Sequence, residues 1–302
     1  MSGNHSPLFP HVLDATILSQ YRCPRKFHLA TVERYGPSGG KSIHLTAGGA
    51  YAKGLEVARL AYCRGDAPEL CLEAGIGALI AEYGDADPGT SAKTLDRMCG
   101  ALEYYFDQYP LDTDPARIAV LAGVPAVEWS FALPLPFIHP DTGAPLLYAG
   151  RTDCIMNFAG GLYAEDDKTT SSLGASWSKQ WDLRSQFIGY AWAMRELGLI
   201  PAGVIVRGVS ILKTKYETAQ AIVNEPAWKI DQWVEHRDHL VKRMLADYAA
   251  GYWEPALDET CNEYGGCMFK QICDVPPKLR QNWLDTQFEE NTWSPLHNIK
   301  VV

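Results

Sequence analysis

No run of eighteen apolar residues occurs in the chain, which leaves no segment able to span a bilayer as a helix. The opening residues, MSGNHSPLFPHVLDATILSQYRCP, lack a basic segment leading into a long apolar core. A secretory leader is therefore not expected, and the chain reads as cytoplasmic. Internal repeats and low-complexity tracts are missing too. So is a complete Gly-x-x-x-x-Gly-Lys-Ser/Thr phosphate loop, which excludes a built-in nucleotide-driven motor. Positive charge is scarce, with 27 Lys and Arg against 36 Asp and Glu and a net charge of -9. That balance argues against a protein that coats nucleic acid, though a local basic groove remains open to Arg22, Arg25, Lys26, Lys179, Arg184, Lys213 and Lys215.

What is present suits a globular chain: 302 residues, 47% apolar and 21% charged, enough to bury a sizeable core. Residues 11–35 are expected to form one helix with an aromatic and basic face, followed by a flexible break at GPSGGKS. Segments 46–64, 68–83 and 90–108 carry apolar residues at three- and four-residue spacing and predict helices. The period then changes. PAVEWSFALPL (125–135) alternates, LLYAGRTDCIMNF (146–158) and GLYAEDDKT (161–169) read as strands, and Ala-Gly-Gly between the last two suits a hairpin. A helix over 176–198, two strands in AGVIVRGVSILKT and YETAQAIVN, and a long helix from PAWKIDQ complete a mixed α/β sheet.

The acidic run in GLYAEDDKTTSS poses the functional question. In a strand, residues two apart share a face, so Asp166 and Lys168 point one way and Glu165 and Asp167 the other. A short hairpin brings Asp153 of GRTDCI beside Asp166. Two carboxylates with the backbone carbonyl of Asp167 make a hard oxygen site for Mg²⁺ or Mn²⁺, and Lys168 can hold water or offset charge on a phosphate. The plainer reading is a solvated turn, since Asp-x-Lys is short and frequent by chance.

The order of these motifs resembles the PD-(D/E)XK nucleases, whose Asp…(Asp/Glu)-x-Lys hairpin is similar to GRTDCIMNFAGGLYAEDDKT. RSQFIGYAWAM resembles the Gln-x-x-x-Tyr motif of their RecB-like branch, which implies that Gln186 contacts DNA or a water and that Tyr190 packs nearby. The resemblance also implies an auxiliary acidic residue at Glu128. A helix histidine that many members use as a metal ligand is missing around Ala52, so Glu56 is the candidate substitute and His44 lies outside the helix.

Cys261, Cys267 and Cys273 follow one another with five residues between each, and Cys23 precedes a proline far upstream. Three evenly spaced cysteines in a reduced compartment suggest metal ligands. Zinc is one candidate, although zinc sites generally use tight Cys-x-x-Cys pairs and none is present. One N-terminal cysteine and three C-terminal ones resemble the iron–sulfur RecB-like nucleases, such as the CRISPR-associated exonucleases and AddB-type helicase–nucleases, with phage relatives nearest in spacing. That implies a 4Fe–4S cluster on these four residues. Cys23 and Cys261 lie 238 positions apart, so a cluster would clamp both ends of the chain.

The resemblance implies a restriction-endonuclease-like core (αβββαβ) over 121–250. An N-terminal helical subdomain (1–120) supplies one cluster cysteine and a cysteine-rich cluster-binding segment occupies 251–302, all one integrated domain. It implies a metal-dependent DNA exonuclease acting on single-stranded or frayed ends, in recombination, repair or phage DNA metabolism, within a bacterial or phage-infected cell. Asp153, Asp166, Lys168, Gln186 and Tyr190 are its expected catalytic set. Thr169, Thr170, Ser171, Lys179 and Arg184 are expected at DNA. A helicase, recombinase or single-strand-binding partner, or a second copy of the chain, would accompany it. The rival reading is a non-hydrolytic DNA-end-binding module of a recombination or CRISPR-adaptation-like complex.

Overall fold

The computed structural model describes residues 8–39, 42–263 and 266–297. Gly40 and Lys41 of the expected break, and Tyr264 and Gly265 of the cysteine segment, lie outside them. Among the described residues no helix is long and apolar enough to cross a membrane.

The expected single helix over 11–35 is instead several short pieces. They are β1 (Val12–Leu13), α1 (Ala15–Gln20), α2 (Pro24–Phe27), a π-helical turn (His28–Val32) and β2 (Tyr35–Pro37). Local chemistry explains the breaks. The Asp14 carboxylate accepts from the Ile17 N–H at 2.7 Å and starts a new helix. Pro24, lacking an N–H, can only begin the next one.

Three longer helices follow. α3 (Ile43–Cys63) opens under a Ser42 cap, so the expected start at 46 moves forward and His44 falls in its first turn. α4 (Pro68–Tyr83) begins at a proline, and α5 (Leu95–Gln108) begins at Thr94, whose hydroxyl accepts from Arg97. Tyr51, Leu55, Leu79, Met98, Leu102 and Tyr105 of these helices form a core with Val209 and Ile211.

The sheet strands then come in order. Short β3 (Arg117–Ile118), β4 (Val120–Leu121) and β5 (Val124–Pro125) precede the long β6 (Val127–Ile138), β7 (Pro145–Phe158) and β8 (Gly161–Thr170). β7 and β8 are antiparallel, joined by a two-residue turn in which Ala159 and Gly160 both have positive φ, 48° and 80°. That is the geometry a tight hairpin requires, and glycine meets it without steric cost. α6 (Ser185–Glu196) carries the chain to β9 (Pro201–Ile211), which lies parallel to β8 and antiparallel to β10 (Tyr216–Asn224). Strand order is β1-β7-β8-β9-β10, with β3 and β6 also pairing β7. This mixed sheet with helices is the expected α/β core.

The helix expected over 176–198 forms only from Ser185. Residues before it make a loop with a single 3₁₀ turn (Lys179–Trp181). Trp177 and Trp181 are buried and meet edge to face, which fixes the loop by side-chain packing in place of helical hydrogen bonds. α7 (Ala227–Ala250), α8 (Lys270–Cys273), α9 (Pro277–Gln287) and β11 (Phe288–Glu290) end the described chain.

The chain forms two compact units. One comprises residues 1–40, 130–150 and 231–302; the other comprises 41–129 and 151–230. The acidic run and its partners lie in the second, and Cys23, Cys261, Cys267 and Cys273 in the first.

Candidate active site on the β7–β8 hairpin

The ladder between β7 and β8 runs from Phe158 opposite Gly161 to Cys154 opposite Glu165, and there it stops. On its other side β8 pairs with β9 from Leu162 to Thr170, with Asp166 opposite Val206 and Lys168 opposite Gly208. The carboxylate of Asp153 takes the place of the next ladder bond, its Oδ2 accepting the Asp167 N–H at 2.6 Å. In extended backbone the N–H and C=O of one residue point to the same side, so the Asp167 carbonyl faces the Asp153 side as well. Asp153, Asp166 and this carbonyl are thus gathered at the end of one hairpin.

Asp166 is 3% exposed. Its Oδ1 is covered by the Lys168 ammonium, and its Oδ2 accepts from the Tyr190 hydroxyl at 3.4 Å. Gln186 donates to that hydroxyl at 2.6 Å, so the two polar residues of α6 form a chain ending on Asp166. They lie four apart on one helical face, which lets both reach the same strand. Loss of surrounding water pushes up the Asp153 carboxyl pKa, and the charges of Asp166 and Asp167 push it further. For Lys168, burial works against the charge, yet Asp166 and Asp153 outweigh it and hold the ammonium above the usual lysine range. Lys168 therefore carries its proton and acts as a fixed cation.

Glu128 has a positive φ of 52°, a costly backbone state for a side chain of this size, and its carboxylate lies 2.7 Å from Arg151 Nε. Burial raises its pKa, while Arg151 lowers it and Glu56 raises it. Glu56 itself pairs with Lys53 at 2.7 Å. Both acids are thus already engaged by cations. Among the described residues, no three His, Cys, Asp or Glu side chains converge in a geometry ready to hold a metal ion.

Thr169 and Thr170 continue β8 past Lys168, and Ser171 follows in the loop. Lys179 and Arg184 stand exposed on the loop before α6, where the Arg184 guanidinium lies 5.5 Å from the Trp181 ring centre.

The opposite face of β8 holds residues that the motifs did not single out. Glu165 and Asp167 meet Arg59 of α3 at 3.1 and 2.8 Å. Arg207 of β9 reaches Glu165 at 3.4 Å and Asp114 at 2.6 Å, and the Tyr105 hydroxyl donates to Glu165 at 3.0 Å. Every one of these side chains is buried, so each charge is compensated by a neighbour and not by water. The signal was present in the sequence as two acids at odd positions of a strand, since acids facing a helix-covered side need cationic partners. Which arginines supply them depends on packing.

In the other unit the four cysteines are half-buried thiols. The Cys267 N–H donates to the Cys261 carbonyl at 2.9 Å, and the Arg25 guanidinium lies 3.9 Å from Cys273 Sγ. Burial pushes the Cys267 thiol pKa up, and the charges of Cys23 and Cys273 add to the rise. Among the described residues no three of these thiols form a group placed to hold a metal ion.

Among solved structures the chain is similar to a candidate exonuclease from Eubacterium rectale, at 13% identity over 83% of this chain and 86% of that one, with a TM-score of 0.48. It is also similar to SSO0001, at 16% identity over 89% of this chain and 87% of that one, with a TM-score of 0.34. No curated protein matches it in sequence. The family model of the PD-(D/E)XK nuclease superfamily matches residues 15–274. That span includes the whole Asp153–Asp166–Lys168 hairpin and the Gln186–Tyr190 helix, and the chain belongs to this superfamily.

Proposed function

We propose that the chain is a metal-dependent deoxyribonuclease of the RecB-like branch, an exonuclease acting on single-stranded or frayed DNA ends. One observation carries the reading: where the β7–β8 ladder ends, the Asp153 carboxylate accepts the Asp167 N–H, and the Lys168 ammonium lies on the neighbouring Asp166. The buried Asp166 Oδ1 faces the Lys168 ammonium and, as a carboxylate oxygen with two lone pairs, keeps one to give a divalent cation. Asp153, Asp166 and the Asp167 carbonyl form an all-oxygen donor set that fits Mg²⁺ or Mn²⁺. Such a cation, when bound, polarises the phosphoryl oxygen and eases deprotonation of water. Lys168 supplies positive charge next to the scissile phosphate, and its ammonium orients the attacking water by hydrogen bonding. Tyr190 holds the Asp166 carboxylate in position, and Gln186 fixes the Tyr190 hydroxyl.

The test is digestion of end-labelled single-stranded DNA in Mn²⁺ by wild type, Asp166→Ala and Lys168→Ala. Loss of cleavage in both variants, on the order of a thousandfold, supports the assignment. Equal digestion by all three discards it. A non-hydrolytic DNA-end-binding module is the second reading, favoured by the lack, among the described residues, of three His, Cys, Asp or Glu side chains placed to hold a metal ion. Wild type that binds DNA yet shows no cleavage in either Mg²⁺ or Mn²⁺ would select it.

Cys23, Cys261, Cys267 and Cys273 would hold a 4Fe–4S cluster. Their thiol chemistry fits such a cluster. The cluster's part would be structural, closing a loop of more than two hundred residues. Brown protein absorbing near roughly 400 nm supports iron–sulfur, and colourless protein with bound zinc overturns it.

A further inference from the structure

Lys93, immediately before α5, is a buried cation without an anion. The residue is 8% exposed, and its ammonium donates to the Thr169 hydroxyl at 2.8 Å, a neutral acceptor. Among the described residues no carboxylate pairs with it. Lysines this buried are normally paired, because removing an ammonium from water costs several kcal/mol. Burial accordingly pulls the Lys93 pKa below the usual lysine range.

The ammonium lies in the wall of a cleft of about 440 Å³, lined by His44, Ser91, Lys93, Thr169, Thr170 and Ser171 and free of acidic side chains. A cleft of that size takes a nucleotide-sized ligand. Two of its hydroxyls already accept one hydrogen bond each from Lys93, Ser91 from the backbone N–H at 3.2 Å and Thr169 from the ammonium. Each still has its own proton to donate to a ligand oxygen. Thr170 is occupied differently, donating to the Ser172 carbonyl at 3.1 Å. By strand alternation Thr169 shares the face of Glu165 and Asp167, so its hydroxyl and the Lys93 ammonium lie on the opposite face of β8 from Asp166 and Lys168.

We infer that Lys93, with the hydroxyls of Ser91 and Thr169, holds a phosphate of the DNA strand. The inference rests on the nuclease reading for its substrate, but its readout is binding and needs no cleavage. Nothing else in the cleft satisfies the lysine, and a phosphate supplies both the missing charge and acceptors for the two hydroxyl protons.

The experiment is fluorescence anisotropy of the full-length protein in EDTA, with single-stranded oligonucleotides bearing a 5′-phosphate or a 5′-hydroxyl. Lys93→Met and Lys93→Arg are compared with wild type between roughly 50 and 200 mM salt. Lys93→Met is expected to weaken binding about tenfold at the lower salt and to reduce the logarithmic salt slope by about 0.7, the loss of one phosphate contact on a single strand. Lys93→Arg should recover most of the affinity. A loss confined to the 5′-phosphorylated strand places a terminal phosphate in the cleft, and an equal loss for both places an internal phosphodiester there; either upholds the inference. Unchanged affinity and slope for both strands overturns it. Thermal melting guards against a folding defect. Removing an unpaired buried charge should leave Tm at or above wild type, and a lower Tm with no recovery in Lys93→Arg assigns the lysine to the fold and overturns the inference. Cleavage by Asp166→Ala equal to wild type would sink the nuclease reading while leaving this binding comparison intact.

Discussion

Replacing Arg59 with methionine tests whether the buried charges behind β8 hold the active-site strand in place. The Arg59 side chain is 3% exposed and contacts two carboxylates that are themselves almost fully buried. After substitution Glu165 keeps Arg207 at 3.4 Å and the Tyr105 hydroxyl at 3.0 Å. Asp167 keeps no cation, since Arg59 at 2.8 Å is its only ion pair among the described residues. One uncompensated buried carboxylate costs about 3–5 kcal/mol. At about 2–4 °C per kcal/mol for a unit of this size, Tm should fall by roughly 10 °C. The double variant Arg59→Met/Asp167→Asn removes the stranded charge and should recover more than half of the loss. Because the Asp167 N–H also holds Asp153, DNA cleavage by Arg59→Met should drop at temperatures well below its Tm. The assay is thermal melting of the three proteins in one buffer, with cleavage measured in parallel. A single variant melting with wild type, or a double variant no better than the single, would refute the reasoning.

Divalent binding should release protons. Desolvation and the Asp166 and Asp167 charges favour the protonated form of Asp153, against which a binding cation competes. Apparent Mn²⁺ affinity should therefore rise with pH, and calorimetry in two buffers of different ionisation enthalpy should give different heats; equal heats would contradict this. Gln186→Leu removes the 2.6 Å hydrogen bond to Tyr190 and should slow cleavage about 10- to 100-fold with little change in Tm. Gly203→Ala would bring a Cβ within 2.0 Å of the Val223 carbonyl oxygen across the β9–β10 ladder, where backbone cannot yield cheaply. A loss of about 3 kcal/mol or more, seen as a lower Tm or insoluble protein, is expected. Cys23→Ser should abolish any absorption near roughly 400 nm, and an unchanged spectrum would remove Cys23 from the cluster.

Strand periodicity and a two-residue turn were enough to determine β7, β8 and β10 within a residue, and β6 within three, and with them the alternation that sets Asp166 and Lys168 on one face and Glu165 and Asp167 on the other. The hairpin register follows from the turn, so Asp153 beside Asp166 was legible without coordinates. Helices were less legible where side-chain packing competes with local signals. The 11–35 segment has helical composition, but Asp14 capping and Pro24 cut it into pieces. The loop before α6 looks helical until Trp177 and Trp181 bury themselves against each other. Contacts across the chain were decided only by tertiary structure. No spacing rule links Arg59 or Arg207 to the acidic run, or Lys93 to Thr169, because those pairs depend on how α3 and the start of α5 lie against β8. Sequence periodicity determines which face a residue occupies; which charge meets it there is settled by the cost of burying that charge alone.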